Sequence, residues 1–343
     1  MISVPTYELP FEKQVHGKRV KERKGKHPSY YQLDKVCNSD TTAAQILITQ
    51  LQKYENEQNT KVACLQVLDK AAPVRGINVQ VPVGSIIDKL NSQIISIRKS
   101  DKCHDDKVVD VLEALKLSEE ERDTIEMETK DQSGNFIWNR AREKRITASV
   151  CHRVISFTGR TSGKVLVNDV IRRKTFTTAA TEFGLQHEQL AIDKYKDTRN
   201  VTVEKCGLFI SLERGYLAAS PDGIVTRADG EKGLLEVKAL PSWTDVSVLD
   251  AYKDRKYPAR MTVVNDANQR APRLKTTHQY YHQVQLQLYC CSHFAKFVDF
   301  IILHVNRSEM HAETIYPDLE WQATKLPKLE AFYKEKIIPE LLK

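Results

Sequence analysis

The sequence predicts an α/β protein with a mixed central β-sheet flanked by helices. In residues 232–240 (KGLLEVKAL), apolar and other side chains alternate at the two-residue period of a strand. Residues 296–305 (KFVDFIILHV) form a strongly apolar run of strand length. Helical spacing before, between and after these runs gives the order helix, strands, helix, strand, helix, which belongs to a layered α/β fold.

In chain order, residues 1–30 read as irregular: two early prolines, a basic run, then His27-Pro28. Helices are expected at 41–55, 61–70 and 83–99, separated by Pro73, Gly76 and Pro82. Segment 107–129 reads as helix broken near Ser118, an N-cap residue with Glu121 three positions on. No recognisable chemistry lies before residue 130, so 1–130 reads as a basic tail and helical extension, and 131–343 as the functional domain. The turn-rich Asp131-Gln132-Ser133-Gly134 marks the boundary. Beyond it come a basic helix at 136–155, a helix at about 180–197, and short strands at 203–211, 215–220 and 232–240. A polar loop holding Pro241, Pro258 and Pro272 then leads to a helix at about 275–294, the strand 296–305, and a closing helix near 318–342.

Composition narrows the function classes. The chain has 343 residues and a net charge of +7, and residues 12–26 supply +5 of it, with seven Lys/Arg against two Glu. The remainder is nearly neutral, so basicity alone does not argue for nucleic acid. No apolar stretch reaches membrane-spanning length, and Met1-Ile2-Ser3-Val4-Pro5 lacks a secretory pattern. The seven cysteines are scattered and contain no C-x-x-C, which speaks against a disulfide framework or thiolate zinc site. The expectation is a reducing compartment, nucleus or cytoplasm.

The chemistry concentrates in Ser220-Pro221-Asp222-Gly223 and Leu235-Glu236-Val237-Lys238. The first is a turn by composition and sets Asp222 at a strand end. In the second, Glu236 and Lys238 share one strand face, opposite Leu235, Val237 and Ala239. If the two runs are hairpin neighbours, two carboxylates and an ammonium converge. A hard divalent cation such as Mg²⁺, or Mn²⁺ in its place, takes oxygen ligands, so Asp222 and Glu236 suit it. Bound there, it would polarise a phosphoryl oxygen and acidify a water. Two adjacent carboxylates favour the charged form of Lys238, which assigns it to charge stabilisation and water positioning rather than proton abstraction. An E-x-K strand is also common as a surface ion pair, so the flanks matter.

A third acid, Glu188, lies on a helix face with Gly184 and Ala191, small residues that let a helix approach a sheet. In 280–288 (YYHQVQLQL), Gln283, Gln285 and Gln287 cannot all share one helix face. Tyr281, Gln285 and Tyr289 do, which favours Gln285 over Gln283 as a site glutamine. Arg140, Arg142, Lys144 and Arg145 crowd the turn before Thr147, and arginine grips phosphate through a bidentate fork.

Together these pieces resemble the PD-(D/E)xK nuclease superfamily, and more closely its branch that includes bacteriophage lambda exonuclease and the YqaJ-like viral recombinases. Trp138-x3-Arg142 through Ile146-Thr147-Ala148-Ser149 is similar to that branch's opening W-x3-R and I-T-A-S element. Gly184-x3-Glu188-x2-Ala191 is similar to its acidic helix, Ser220-Pro221-Asp222-Gly223 to its S-P-D-G turn, Glu236-x-Lys238 to its E-x-K strand, and Gln283-Val284-Gln285 to its Q-V-Q helix. The five occur in the family's order, over roughly 132–310.

The resemblance implies a restriction-endonuclease-like core and a Mg²⁺- or Mn²⁺-dependent deoxyribonuclease, acting 5′-to-3′ on double-stranded DNA ends in recombination or DNA processing. It implies Glu188, Asp222 and Glu236 as metal ligands, Lys238 and Gln285 as further site residues, and Arg142 and Ser149 on a DNA phosphate. Arg140, Ser220, Gln283 and His282 are adjoining DNA-contact candidates. Family members often form ring-shaped trimers, so a homo-oligomer is expected. The alternatives are a catalytically weak DNA-binding scaffold and a structure-selective endonuclease.

Overall fold

A computed structural model describes residues 83–172, 179–239, 261–266 and 269–343. The basic run 12–26 and the helices expected at 41–55 and 61–70 lie outside the described residues. Three helices open the described part: α1 (Val83–Lys99), α2 (His104–Ala114) and α3 (Glu119–Glu128). The break before α3 falls at Ser118, as its capping signal predicts: Ser118 Oγ accepts from the Glu121 N–H at 3.2 Å, and Glu121 Oε2 accepts from the Ser118 N–H at 3.0 Å.

The helix expected over 136–155 is two helices, α4 (Phe136–Arg142) and α5 (Ala148–Ile155), flanking strand β1 (Ile146–Thr147). Lys144 takes a left-handed φ of 64°, which ends α4. Arg145 then turns inward, donating to the Gly215 and Ala141 carbonyls at 2.9 and 2.8 Å. Helix α6 (Lys164–Ile171), which had no counterpart in the sequence reading, is followed by α7 (Ala179–Arg199).

The strand expected at 203–211 is also two, β2 (Thr202–Glu204) and β3 (Phe209–Ile210), in different sheets. Gly207 lies between them. A Cβ there would sit 2.0 Å from the Glu126 carbonyl oxygen, so α3 presses on the chain at that point. Strands β4 (Leu217–Ala219), β5 (Gly223–Thr226) and β6 (Lys232–Ala239) follow. Within the expected polar loop, β7 (Met261–Asp266) and β8 (Gln269–Leu274) form an antiparallel hairpin, and Pro272 is accommodated because β8 has a single sheet neighbour. Helix α8 (Gln279–Cys290), β9 (Val298–His304), β10 (Glu309–Ile315) and α9 (Leu319–Phe332) complete the core. A π-helical turn (Tyr333–Ile337) and the short α10 (Ile338–Leu341) end it.

The main sheet has the order β10-β9-β6-β5-β2. Only β6 and β9 run parallel in it, so it is mixed. Every residue of β9 is buried, as expected of a central strand covered on both faces. A smaller sheet, β1-β4-β3, adjoins.

Residues on both sides of position 130 pack together. Asn78–Lys343 forms one compact unit. Val83, Ile86 and Ile87 of α1 share a buried cluster with Ile125 of α3, Leu208, Ile210 of β3 and Ala218 of β4. Among the described residues, no helix is long and apolar enough to cross a membrane.

Two glycines let the early helices dock. A Cβ on Gly215 would meet the Leu115 carbonyl oxygen at 2.0 Å, as one on Gly207 would meet that of Glu126. Gly207→Ala and Gly215→Ala should each lower stability by about 1–3 kcal/mol, read as a lower urea midpoint. Unchanged midpoints would show that α2 and α3 do not seat on the core in this way.

Candidate active site

Strand pairing brings the acids together. Gly223 of β5 faces Leu235 of β6, and one further step along that antiparallel register sets Asp222 across from Glu236. The Asp222 N–H donates to the Leu235 carbonyl at 2.9 Å, and the Val237 N–H returns to Asp222 Oδ2 at 2.7 Å. Asp222 is thus tied to backbone on both sides of Glu236, its main chain to Leu235 and its carboxylate to Val237. The Ser220–Gly223 turn is fixed from outside as well: Gln132 Nε2 donates to the Pro221 carbonyl at 2.8 Å and to that of Cys206 at 3.0 Å.

Glu236 is only 1 % exposed. Its Oε1 accepts from Gln283 Nε2 at 2.5 Å and from Lys238 Nζ, and its Oε2 accepts from Gln287 Nε2 at 2.5 Å. A buried carboxylate needs such donors, because leaving it unpaired would cost several kcal/mol. Burial by itself lowers the Lys238 pKa, but the Glu236 and Asp222 carboxylates outweigh it and hold the group above its ordinary value. The Lys238 ammonium also lies 5.2 Å from the centroid of the Tyr280 ring.

Glu188 reaches the same field from α7. Its carboxyl is raised first by burial and then by repulsion from Glu236, against the attraction of Lys238. Asp222 is raised strongly, by burial first and then by Glu236. Ala191 is fully buried beneath α7, as its small size suggested. Gly184 is not needed for close approach, since a Cβ there would meet nothing within 4 Å. As the side chains are placed, no three His, Cys, Asp or Glu among the described residues form a ready metal cluster.

Gln285, the favoured site glutamine, is not at the acids. Its Nε2 donates to the Tyr316 carbonyl and its Oε1 accepts from the Asp318 N–H, both at 2.9 Å, on another face of α8. Gln283 and Gln287 are the pair that meets Glu236, and sequence reasoning passed over Gln287. Their i, i+4 spacing was the available signal, obscured because the aromatic face of Tyr281 and Tyr289 drew attention to Gln285.

His282, a DNA-contact candidate, is turned into the protein. It is 5 % exposed, accepts from Trp321 Nε1 at 2.7 Å, and stacks on His152 with ring centroids 5.2 Å apart. Burial, then His152 and Lys325, press its pKa down to about 4. Arg140 pairs with Asp88 of α1 at 2.7 Å.

The Arg142 guanidinium lies 3.6 Å from the Trp138 ring centroid, and Trp138 Nε1 donates to Ser220 Oγ at 2.8 Å. Ser220 therefore joins the α4 side chains to the turn that carries Asp222. Ser149 is exposed in the first turn of α5, its Oγ 3.2 Å from Thr147 Oγ1.

Comparison with known proteins gives the following. An alkaline nuclease of Orgyia pseudotsugata multicapsid polyhedrosis virus is 32 % identical over 196 residues, 55 % of this chain and 44 % of that protein. The chain thus spans less than half the length of that relative. An alkaline exonuclease from Laribacter hongkongensis aligns with a TM-score of 0.45 and 22 % identity, over 60 % of this chain and 93 % of that one. The shutoff and exonuclease protein of Kaposi's sarcoma-associated herpesvirus aligns with a TM-score of 0.43 and 12 % identity, over 90 % of this chain and 96 % of that one. Residues 137–293 match the family of YqaJ-like viral recombinase domains.

Proposed function

We propose that the chain is a metal-dependent deoxyribonuclease, trimming double-stranded DNA ends from the 5′ side in recombination or DNA processing. One observation carries this reading: Asp222 and Glu236 lie side by side across β5 and β6, with Glu188 and Lys238 in their electrostatic field. The YqaJ-like family match and the viral alkaline nuclease support it.

The donor set fits a hard divalent cation. Glu188, Asp222 and Glu236 offer oxygen alone, without sulfur or imidazole. Burial first, and then repulsion from Glu236, raises Asp222 and Glu188, so both gain from a cation placed among them. These three acids would hold the ion directly or through water, and Mg²⁺, which keeps several waters, suits so sparse a set. When bound, the ion supplies Lewis acidity toward the phosphoryl oxygen and a more acidic water. Lys238, kept as an ammonium, orients that water and offsets charge developing on phosphorus. Arg142 and Ser149 grip a backbone phosphate, a contact independent of base sequence. By family resemblance the active form is a ring-shaped trimer.

Asp222→Ala and Lys238→Ala should each lower cleavage of linear duplex DNA at least about a hundredfold, with the far-ultraviolet circular dichroism of the wild type. Persistent cleavage in both would remove these residues from the site. EDTA should stop the wild type, and added Mg²⁺ or Mn²⁺ should restore it. Loss of 5′-end-labelled mononucleotide from linear but not closed circular DNA identifies the exonuclease. Retarded migration without degradation would identify a scaffold instead.

The raised pKa of Asp222 sets a stability trend. Its folded form holds a proton more tightly than its unfolded form, so metal-free stability falls as pH climbs from the unfolded value, about 3.9, through the raised folded one. Asp222→Asn keeps an acceptor for the Val237 N–H and removes the charge. In EDTA its urea midpoint should exceed that of the wild type at pH 8, with the gap closing toward pH 4. A wild type at least as stable at pH 8 would contradict the cost of burying the Asp222 charge beside Glu236.

A further inference from the structure

We propose that Gln287 is a positioning residue that makes Glu236 a one-oxygen metal ligand acting through Oε2, a role that rests on the metal-dependent reading above. An ionised carboxylate offers about four acceptor positions, two on each oxygen. On Glu236, Oε1 already receives two donors, Gln283 Nε2 and Lys238 Nζ. Oε2 receives one, Gln287 Nε2 at 2.5 Å. One acceptor position remains, on Oε2, and the Gln287 amide determines which way it points.

The surroundings of Gln287 set it apart from an ordinary core position. The residue is 0 % exposed, between Leu286 and Leu288, which are buried as well. Its own Oε1 is buried with no hydrogen-bond partner among the described residues. A carboxylate can only accept, so the amide cannot turn over to relieve that oxygen while Glu236 is ionised. The fold therefore tolerates an unsatisfied acceptor in order to aim one N–H at Glu236.

Gln287 differs in this from Gln285, two residues away, whose amide satisfies both ends on the 316–318 loop. The two residues form a matched comparison on one helix. One is a tether between α8 and that loop; the other addresses the acid.

The test is Mn²⁺ binding to the DNA-free protein by isothermal titration calorimetry, beside DNA cleavage at varied Mg²⁺. Gln287→Met keeps the volume and removes the donor. It should weaken Mn²⁺ binding about tenfold or more, the range known for residues that orient metal ligands, and raise the half-saturating Mg²⁺ for cleavage in proportion. Gln285→Met should bind Mn²⁺ as the wild type does, with any loss confined to its urea midpoint. Gln287→Asn, which withdraws the amide by one methylene, serves if the Met variant does not fold, and should show the same weakening. Wild-type Mn²⁺ affinity in either folded Gln287 variant overturns the proposal, as does equal weakening in Gln285→Met. A wild type that neither binds Mn²⁺ nor cleaves DNA would overturn the nuclease reading itself, a different result.

Discussion

The placement of one buried negative charge governs much of this structure. Glu236 sits on β6, whose neighbour β9 is buried throughout, where a carboxylate is stable only with several donors. Lys238 supplies one from its own strand, two residues on. The others must come from α8, which has to lie at a depth that lets Gln283 and Gln287 reach both oxygens. Much else in the fold serves that depth. Trp321 of α9 donates to His282, Gln285 ties α8 to the 316–318 loop, and Cys151 of α5 donates to the His282 carbonyl at 3.2 Å.

That constraint explains an odd feature of α8. The helix is largely buried from His282 on, yet carries glutamines at every second position over 283–287. An amphipathic surface helix would show one polar stripe. Here polar residues point in two directions inside the protein, each toward a designated partner. A helix of this kind defeats periodicity, because its polar positions do not mark solvent.

Legibility in the sequence followed the range of the interactions involved. The S-P-D-G turn, the E-x-K strand and the Ser118 capping box are local patterns, and the structure has them where composition sets them. The convergence of Asp222 with Glu236 was also readable, since a hairpin needs only a short connection. Gln287 was not, because its meaning depends on a strand fifty residues away. The break at Lys144 was hidden for the same reason: its carbonyl accepts from Tyr333 and its N–H donates to Val170, both distant in sequence. The docking of α2 and α3 left two glycines as a trace, at 215 and 207, and they lie far along the chain from the helices they admit.

The break at Lys144 also changes how the basic cluster of residues 140–145 should be counted. Arg145 is turned onto backbone carbonyls, Arg140 onto Asp88, Lys144 lies 3.9 Å from Glu143 and Arg142 stacks on Trp138, so each of the four cations is engaged within the protein. Each phosphate neutralised by a protein adds roughly 0.9 to the slope of log affinity against log salt on duplex DNA. This segment therefore contributes fewer such increments than its four charges spell out, and affinity for a polyanion here is less sensitive to ionic strength than the primary structure suggests.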